Sequence, residues 1–238
     1  MNFYTILSKY YDTIFPVNSV QINFITQHMH GKSLLDVAAG TGNQAVELAK
    51  LGYNVTAVDL DPSMVHSINR KATEQQVTIH TDILNMIDIK SLQPLSYDTI
   101  TCIGNSLSHL SSIDEITQAL QGFTKVLNKN GTIIIQIVNY NRIFAHSIKQ
   151  LPTINRPPVK FERSYELCEN NKIIFNGTLT VDDEQYESSV TLYGIQAEQL
   201  VSSLNNAGFH HIELFGSFKG EPYTSIESPA LVVVARKE

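Results

Sequence analysis

The chain has 238 residues, of which 42% are hydrophobic and 17% charged, with a formal net charge of -6. This provides for one large soluble domain, or a domain with a sizeable insertion, around a full core. The acidic balance argues against a nucleic-acid partner, because phosphate binding draws on a basic surface.

Residues 1–30 read as a helical cap ahead of the first strand, with Phe24, Ile25 and Met29 on one stripe. Their first half carries Lys9, Asp12 and other polar residues and lacks the apolar core of a signal peptide. No stretch of the chain is apolar enough to span a membrane, so a cytoplasmic protein without a membrane partner is expected. Strands and helices then alternate, as in a doubly wound sheet. Strands are predicted at 33–37, 54–58, 77–80, 97–103 and 132–138, nearly continuously apolar as buried parallel strands must be. A helix over 43–51 ends at Gly52, where a left-handed residue is needed. Asp61-Pro62 starts another, with a capping carboxylate followed by proline at the first helical position. Cys102 falls inside an apolar run and reads as a core thiol; with Cys168 it makes neither a CxxC pattern nor a disulfide framework. Ile113, Ile116, Leu120, Phe123 and Leu127 recur at helical spacing behind the capping-box pair Ser112 and Glu115. Asn130-Gly131 then reads as a turn.

The period changes between about 159 and 193. Phe161, Tyr165 and Leu167, then Ile173, Phe175, Leu179 and Val181, then Tyr186, Val190 and Leu192 alternate with polar residues. Asn170-Asn171 and Asp182-Asp183 separate the runs, which predicts a three-stranded antiparallel meander with one covered face. Pro152, Pro157 and Pro158 mark a linker before it. A helix over 197–207, closed by Gly208, and strands at 212–215 and 230–235 finish the sheet. The expected fold is α/β: a doubly wound, seven-stranded, mostly parallel Rossmann-like sheet with a small antiparallel insertion. Its core comprises 31–145 and 195–238, and the insertion 146–194. The insertion reads as a lid over the site or as a dimerisation surface, leaving monomer and homodimer both open.

Leu34-Leu35-Asp36-Val37-Ala38-Ala39-Gly40-Thr41-Gly42-Asn43 is an apolar run ending in an acid and then in glycines that open a helix. A second apolar run ends in Asp59. Such a pattern builds a nucleoside-binding crevice: glycines let backbone N–H groups approach the ligand at a helix N-terminus, and the second acid offers two acceptor oxygens to ribose hydroxyls. Gly40-x-Gly42-x-x-Ala45 also fits the dinucleotide fingerprint, which keeps a nicotinamide oxidoreductase among the alternatives. However, the acid four residues before the first glycine resembles motif I of class I S-adenosylmethionine (SAM) dependent methyltransferases. The resemblance implies SAM as cofactor and S-adenosylhomocysteine (SAH) as product. It implies a cofactor site of Tyr11, Asp36, Ala38, Gly40, Gly42, Asp59, Leu60, Asp82, Ile83 and Ile103. Within it, Asp36 organises the loop near the methionine moiety, Tyr11 reaches the methionine carboxylate, Asp59 holds the ribose, and Asp82-Ile83 contact adenine. On the residues alone, Tyr11 is equally a packing residue and Asp82 a turn aspartate.

Cys102-Ile103-Gly104-Asn105-Ser106-Leu107-Ser108-His109-Leu110 resembles the C-L-G-N-S-F-A-H-L segment of glycine/sarcosine N-methyltransferases, and Asn139-Tyr140-Asn141 their N-Y-D. An arginine directly before that N-Y-D grips the glycine carboxylate in those enzymes. Here the position is Val138, which cannot pair with a carboxylate. The resemblance therefore implies a small-molecule acceptor, an amine nitrogen first and an oxygen next, rather than glycine; Arg142 and Arg163 are the candidates to replace the missing cation. His109 is the candidate catalytic base, with a simple contact role as its alternative, and Asn105 the candidate polar contact to cofactor or acceptor. Tyr140, Tyr165 and Tyr193 either line the acceptor pocket or pack the meander. His28 and His30, and His210-His211, lack neighbouring ligand patterns, so no metal is expected. A nucleic-acid methyltransferase and a non-catalytic SAM-binding protein complete the alternatives.

Overall fold

In a computed structural model, which describes residues 3–238 apart from the side chains of Tyr4 and Thr5, the apolar runs become two sheets. β1 (Ser33–Val37), β2 (Asn54–Asp59), β3 (Ile79–Ile83), β4 (Tyr97–Cys102) and β5 (Leu127–Val138) pair in parallel. β6 (Gln150–Arg156), β7 (Val159–Leu167), β8 (Lys172–Val181) and β9 (Glu184–Tyr193) form a separate antiparallel meander. β10 (Phe209–Phe215) and β11 (Ala230–Lys237) return to the first sheet, whose order is β10-β11-β5-β4-β1-β2-β3, with β11 antiparallel to both neighbours. The α/β fold with a mostly parallel seven-stranded sheet is thus as its sequence predicts.

Alternate residues of the buried strands face opposite ways, so each strand feeds two cores. Leu35, Val37, Ile100 and Ile133 pack beneath α5 (Ile113–Val126) and α7 (Ala197–Asn206). Leu34, Val55, Ala57 and Ile134 pack against α2 (Ser19–His28) and α3 (Asn43–Lys50). β1 pairs with β2 on one side and β4 on the other, so the connections leave it in opposite directions and open a crevice at the strands' carboxyl ends. Asp61 caps α4 (Pro62–Glu74), its Oδ1 accepting from the Ser63 N–H at 2.7 Å. Gly52 and Gly208 close their helices at φ +83° and +89°.

Several boundaries differ from the sequence reading. The cap is two helices, α1 (Phe3–Ile14) and α2, divided at residues 15–18, where Asn18 accepts from the Val20 N–H at 3.0 Å. The meander has four strands rather than three. Pro152, read as linker, lies on the edge strand β6, where a missing N–H is tolerated, and the β6–β7 register shifts between Leu151 and Ile154 to pass it. β3 runs to Ile83, so Asp82 and Ile83 end the strand in register with Val58 and Asp59 instead of following it. Asn130 does turn, at φ +62°, but as an interruption within β5 between the pairs Tyr97–Leu127 and Thr99–Thr132. At α5, Ser112 Oγ accepts from the Glu115 N–H at 3.2 Å, while the Glu115 carboxylate accepts from Ser111 rather than Ser112. Short 3-10 turns at Met86–Ser91 and Ser106–His109 had no periodic signal.

Gly122 lies inside α5, where an added Cβ would meet the Lys90 backbone nitrogen at 3.5 Å, an ordinary contact. Gly122→Ala is expected to stabilise the fold by about 0.5–1 kcal/mol, because glycine loses more backbone freedom on folding. The urea midpoint should rise at constant m; a fall would show that the 86–91 segment cannot receive the methyl.

Candidate active site

The crevice begins where β1 ends. Ala38, Gly40 and Gly42 all take left-handed backbone, at φ +55°, +56° and +80°, folding the loop back over the strand end. Asp59, the last residue of β2, holds that loop: its Oδ2 accepts from the Gly40 N–H at 2.8 Å and its Oδ1 from the Asp61 N–H at 3.0 Å. Burial raises its pKa, against the pull of those backbone bonds. Asp36 lies deeper, 3% exposed. Its Oδ1 accepts from Thr101 Oγ1 at 2.7 Å and Gln44 Nε2 at 2.9 Å. Burial pushes this carboxyl up to about 7, with the Thr101 bond opposing and Asp59 adding to the shift.

A cavity of about 1050 Å³ opens over this loop and runs to the inner face of the second sheet. Of the expected cofactor residues, Tyr11, Asp36, Ala38, Gly40, Asp59, Leu60 and Ile103 line it. Gly42 does not: it starts α3, and an added Cβ there would lie 2.8 Å from Ile68 Cγ1, so its role is close helix packing. Asp82 and Ile83 are also outside the lining, exposed at the end of β3, where Asp82 Oδ1 accepts from the Ile83 N–H at 2.8 Å. Leu84, Asn85 and Met86, which sequence reasoning passed over, line the cavity instead; their signal was the acid just before them.

Tyr11 lies over the loop, close enough that a Cβ on Gly40 would sit 3.5 Å from its hydroxyl. Burial pushes its phenol up to about 12, with Asp59, Asp12 and Asp36 adding. Next to it Asp12 latches α1 to the glycine loop. Thr41 Oγ1 donates to Asp12 Oδ1 at 2.7 Å, Lys71 Nζ pairs with Asp12 Oδ2 at 2.6 Å, and Lys71 also donates to Asn43 Oδ1 at 2.7 Å. Asn43 in turn donates to the Phe15 carbonyl at 3.0 Å. Burial lowers the Lys71 pKa while Asp12 raises it. Lys71→Met is expected to cost about 1–2 kcal/mol of α1 docking. Amide exchange in α1 should accelerate about tenfold with β1–β5 unchanged; unchanged exchange in α1 would remove the latch.

On the acceptor side, Asn105 lines the cavity, but its amide is engaged by the protein. Oδ1 accepts from the Val138 N–H at 2.9 Å and Ser108 Oγ at 3.2 Å, and Nδ2 donates to the Tyr140 hydroxyl at 2.8 Å. His109 faces the cavity, open to solvent, yet surrounding protein lowers its pKa, with Asp59 opposing. Of the three tyrosines, Tyr165 alone lines the cavity; burial raises its pKa. Tyr140 is buried against Asn105, and Tyr193 is buried beside Gln199 and Lys172. Asn139 donates to the carbonyls of Ser225 and Ser228 at 2.9 and 2.8 Å, a structural tie. Arg142 lies outside the lining, whereas Arg163 is within it.

The donor set fits a SAM molecule: two carboxylates at adjacent strand ends, a glycine loop with no Cβ under Tyr11, and apolar Leu60 and Ile103 beside them. A sheet of this order, with its crevice at the carboxyl ends of β1 and β2, defines the Rossmann-like class of SAM-dependent methyltransferases. Comparison with known proteins agrees. The methyltransferase domain family matches residues 34–131. A protein of Geobacillus sp. (strain WCH70) named as a methyltransferase is 31% identical over 215 residues, covering 87% of this chain and 85% of its own. The glycine/sarcosine N-methyltransferase of Aphanothece halophytica is 26% identical over 88% of this chain and 78% of its own. A SAM-dependent methyltransferase from Clostridium acetobutylicum ATCC 824 shares the fold, with TM-score 0.82 and 17% identity over 99% of each chain. The chain belongs to the SAM-dependent methyltransferase family, and SAM is its cofactor. Among the described residues no helix is long and apolar enough to cross a membrane.

Proposed function

We propose that this methyltransferase carries the methyl group of SAM to the nitrogen of a small amine. The observation that carries this reading is the continuous cavity joining the glycine loop to the inner face of the β6–β9 sheet, a half-open space of about 1050 Å³ with room for a cofactor and a small acceptor. Bound SAM supplies an electrophilic methyl group on a sulfonium. The protein's part is to bind, align and exclude water. Asp59 keeps lone pairs for the ribose hydroxyls beyond its two backbone bonds, and Asp36 holds the methionine end. Tyr11 closes over that end, and Ala38, Gly40, Leu60 and Ile103 shape the slot. Gly42 supports the loop from behind. Asp82 and Ile83, in register with Val58 and Asp59, suit the exposed adenine edge. Asn105 fixes the wall on which His109 stands. Although its ring is open to the cavity, the protein packed around His109 lowers its pKa from the ordinary imidazole value, which favours the neutral form that can take the amine proton. Residues 146–194, together with α1 of the 1–30 cap, act as the lid over the 31–145 and 195–238 core.

Transfer of label from [methyl-³H]SAM to matched small amines and alcohols tests this reading. Label on amines, with SAH accumulating, is expected. Label on alcohols alone would overturn the nitrogen assignment.

A further inference from the structure

The second sheet presents an apolar inner face to the cavity, interrupted by one polar row. Period-two alternation along β7 turns Phe161, Arg163 and Tyr165 to the same side, and all three line the cavity. Across the strands, Arg163 pairs with Leu151 of β6 and Gly177 of β8, and Gly177 pairs with Ser188 of β9. Gly177 carries no side chain, and aromatic rings pack over it: a Cβ there would press on Phe161 Cε2 at 3.1 Å and Phe3 Cζ at 3.3 Å. A guanidinium, a ring-covered glycine and a hydroxyl thus share one cross-strand row between those of Phe161 and Phe175, and Arg163 and Ser188 line the cavity from it.

Arg163 is incompletely satisfied. Its Nη2 donates to the Pro152 carbonyl at 2.8 Å and its Cζ sits 5.7 Å from the Phe161 ring centroid. Its Nε is buried and has no hydrogen-bond partner. Glu162 and Glu166 alternate to the opposite face of β7. Among the described residues lining the cavity, Arg163 is the one lysine or arginine, while the carboxylates Asp36, Asp59 and Asp61 gather at the glycine loop. The cavity is therefore polarised: its acidic end suits a cationic cofactor and repels an anion, and its far end holds the one guanidinium of the lining. A guanidinium carries five donors and pairs best with an oxyanion.

We propose that Arg163, with Ser188 across the Gly177 step, binds an oxyanion carried by the methyl acceptor, so that the substrate is a small amine bearing a carboxylate or phosphate group. This rests on the reading of the cavity as a methyltransferase acceptor site. Val138, at the end of β5 on the core side of the cavity, bears no charge, and the one guanidinium of the lining belongs to the lid. The lid then selects the substrate as well as covering it, and an acceptor engages the Arg163 row only when β7, β8 and β9 are in place above it.

The test uses pairs differing only in the anion: alanine and alaninamide, phenylalanine and phenylalaninamide, O-phosphoethanolamine and ethanolamine, and lactate and lactamide. Binding to the enzyme–SAH complex and label transfer from [methyl-³H]SAM are both measured. Wild-type enzyme should prefer an anionic member, and Arg163→Met should lower kcat/KM for it by roughly 100-fold, against a far smaller change for the neutral member and for SAH affinity. Arg163→Lys should recover part of the loss. Response to the amino acids assigns a carboxylate, and response to O-phosphoethanolamine alone assigns a phosphate. Preference for lactate over lactamide with no labelled amine would retire the nitrogen assignment, and the amine with it, and leave only the oxyanion site at Arg163 standing. Equal use of both members of every pair, binding of no anionic member at millimolar concentration, or an acid preference surviving in Arg163→Met would overturn it.

Discussion

Asp59→Ala is expected to weaken SAM and SAH binding by at least roughly 100-fold. The carboxylate has one task in the free protein and, on the proposed cofactor placement, a second. It accepts from the backbone N–H groups of Gly40 and Asp61, holding the glycine loop against β2. Its remaining lone pairs face the cavity, where the ribose hydroxyls would donate. Hydrogen bonds to a charged group contribute about 1.5–3 kcal/mol each, so losing two costs about 3–6 kcal/mol. In dissociation constants that is on the order of 10²–10⁴. The fold should survive, because Asp59 ends its strand half-buried and the backbone pairing with β3 does not use its side chain. Asp59→Asn keeps one acceptor oxygen and should fall between. Calorimetric titration with SAH, after checking that the variant melts cooperatively, measures the effect. Wild-type affinity in Asp59→Ala would show that the crevice has been misassigned.

Asp36, Gly40 and Asp59 were legible in the sequence for a physical reason. A parallel strand, a tight turn and a helix N-terminus follow one another within a dozen residues around Asp36 and Gly40, so the turn's demands are written locally, and Asp59 ends the next apolar run, 19 residues after Gly40. The same holds for Asp61-Pro62 and for the period-two face of β7, β8 and β9. Other features depend on distant segments meeting. Lys71 looks like any helix-surface lysine until α1 brings Asp12 to it. Asn105 looks like a ligand-facing amide until Tyr140 and Val138 close on it. Pro152 reads as a loop because edge position, which makes proline tolerable in a strand, is decided by the partners and not by β6. The row of Arg163, Gly177 and Ser188 needs the register of three strands, and in the sequence Arg163 stood only as one of two possible cations.

Asp36→Asn should alter the pH dependence of stability more than any other single change in the crevice. Asp36 is 3% exposed and its folded pKa is about 7, against an ordinary 3.8. For an acid with a raised folded pKa, the unfolded chain ionises first. Below the ordinary value both states hold the proton and Asp36 costs nothing. Between about 4 and 7 the folded state binds one proton more, so stability falls as pH rises, and above 7 the penalty is complete. Three units correspond to on the order of 4 kcal/mol. An asparagine cannot ionise, and its Oδ1 can still accept from Thr101 and Gln44. The unpaired amide N–H groups add a pH-independent offset. The difference between variant and wild type, from urea unfolding at half-unit steps between pH 5 and 8.5, should therefore move in the variant's favour as pH rises and level off above 7. A pH-independent difference would show that Asp36 titrates alike in both states. With Asp36 at the methionine end of the cofactor, as proposed, SAM binding should move oppositely: the variant would lose a carboxylate beside a cation, and wild-type affinity should fall as pH drops through 7. Neutral polar residues could pair with Thr101 and Gln44 at lower cost. An ionisable carboxyl at this depth destabilises the free enzyme at neutral pH, a cost that binding a cation offsets.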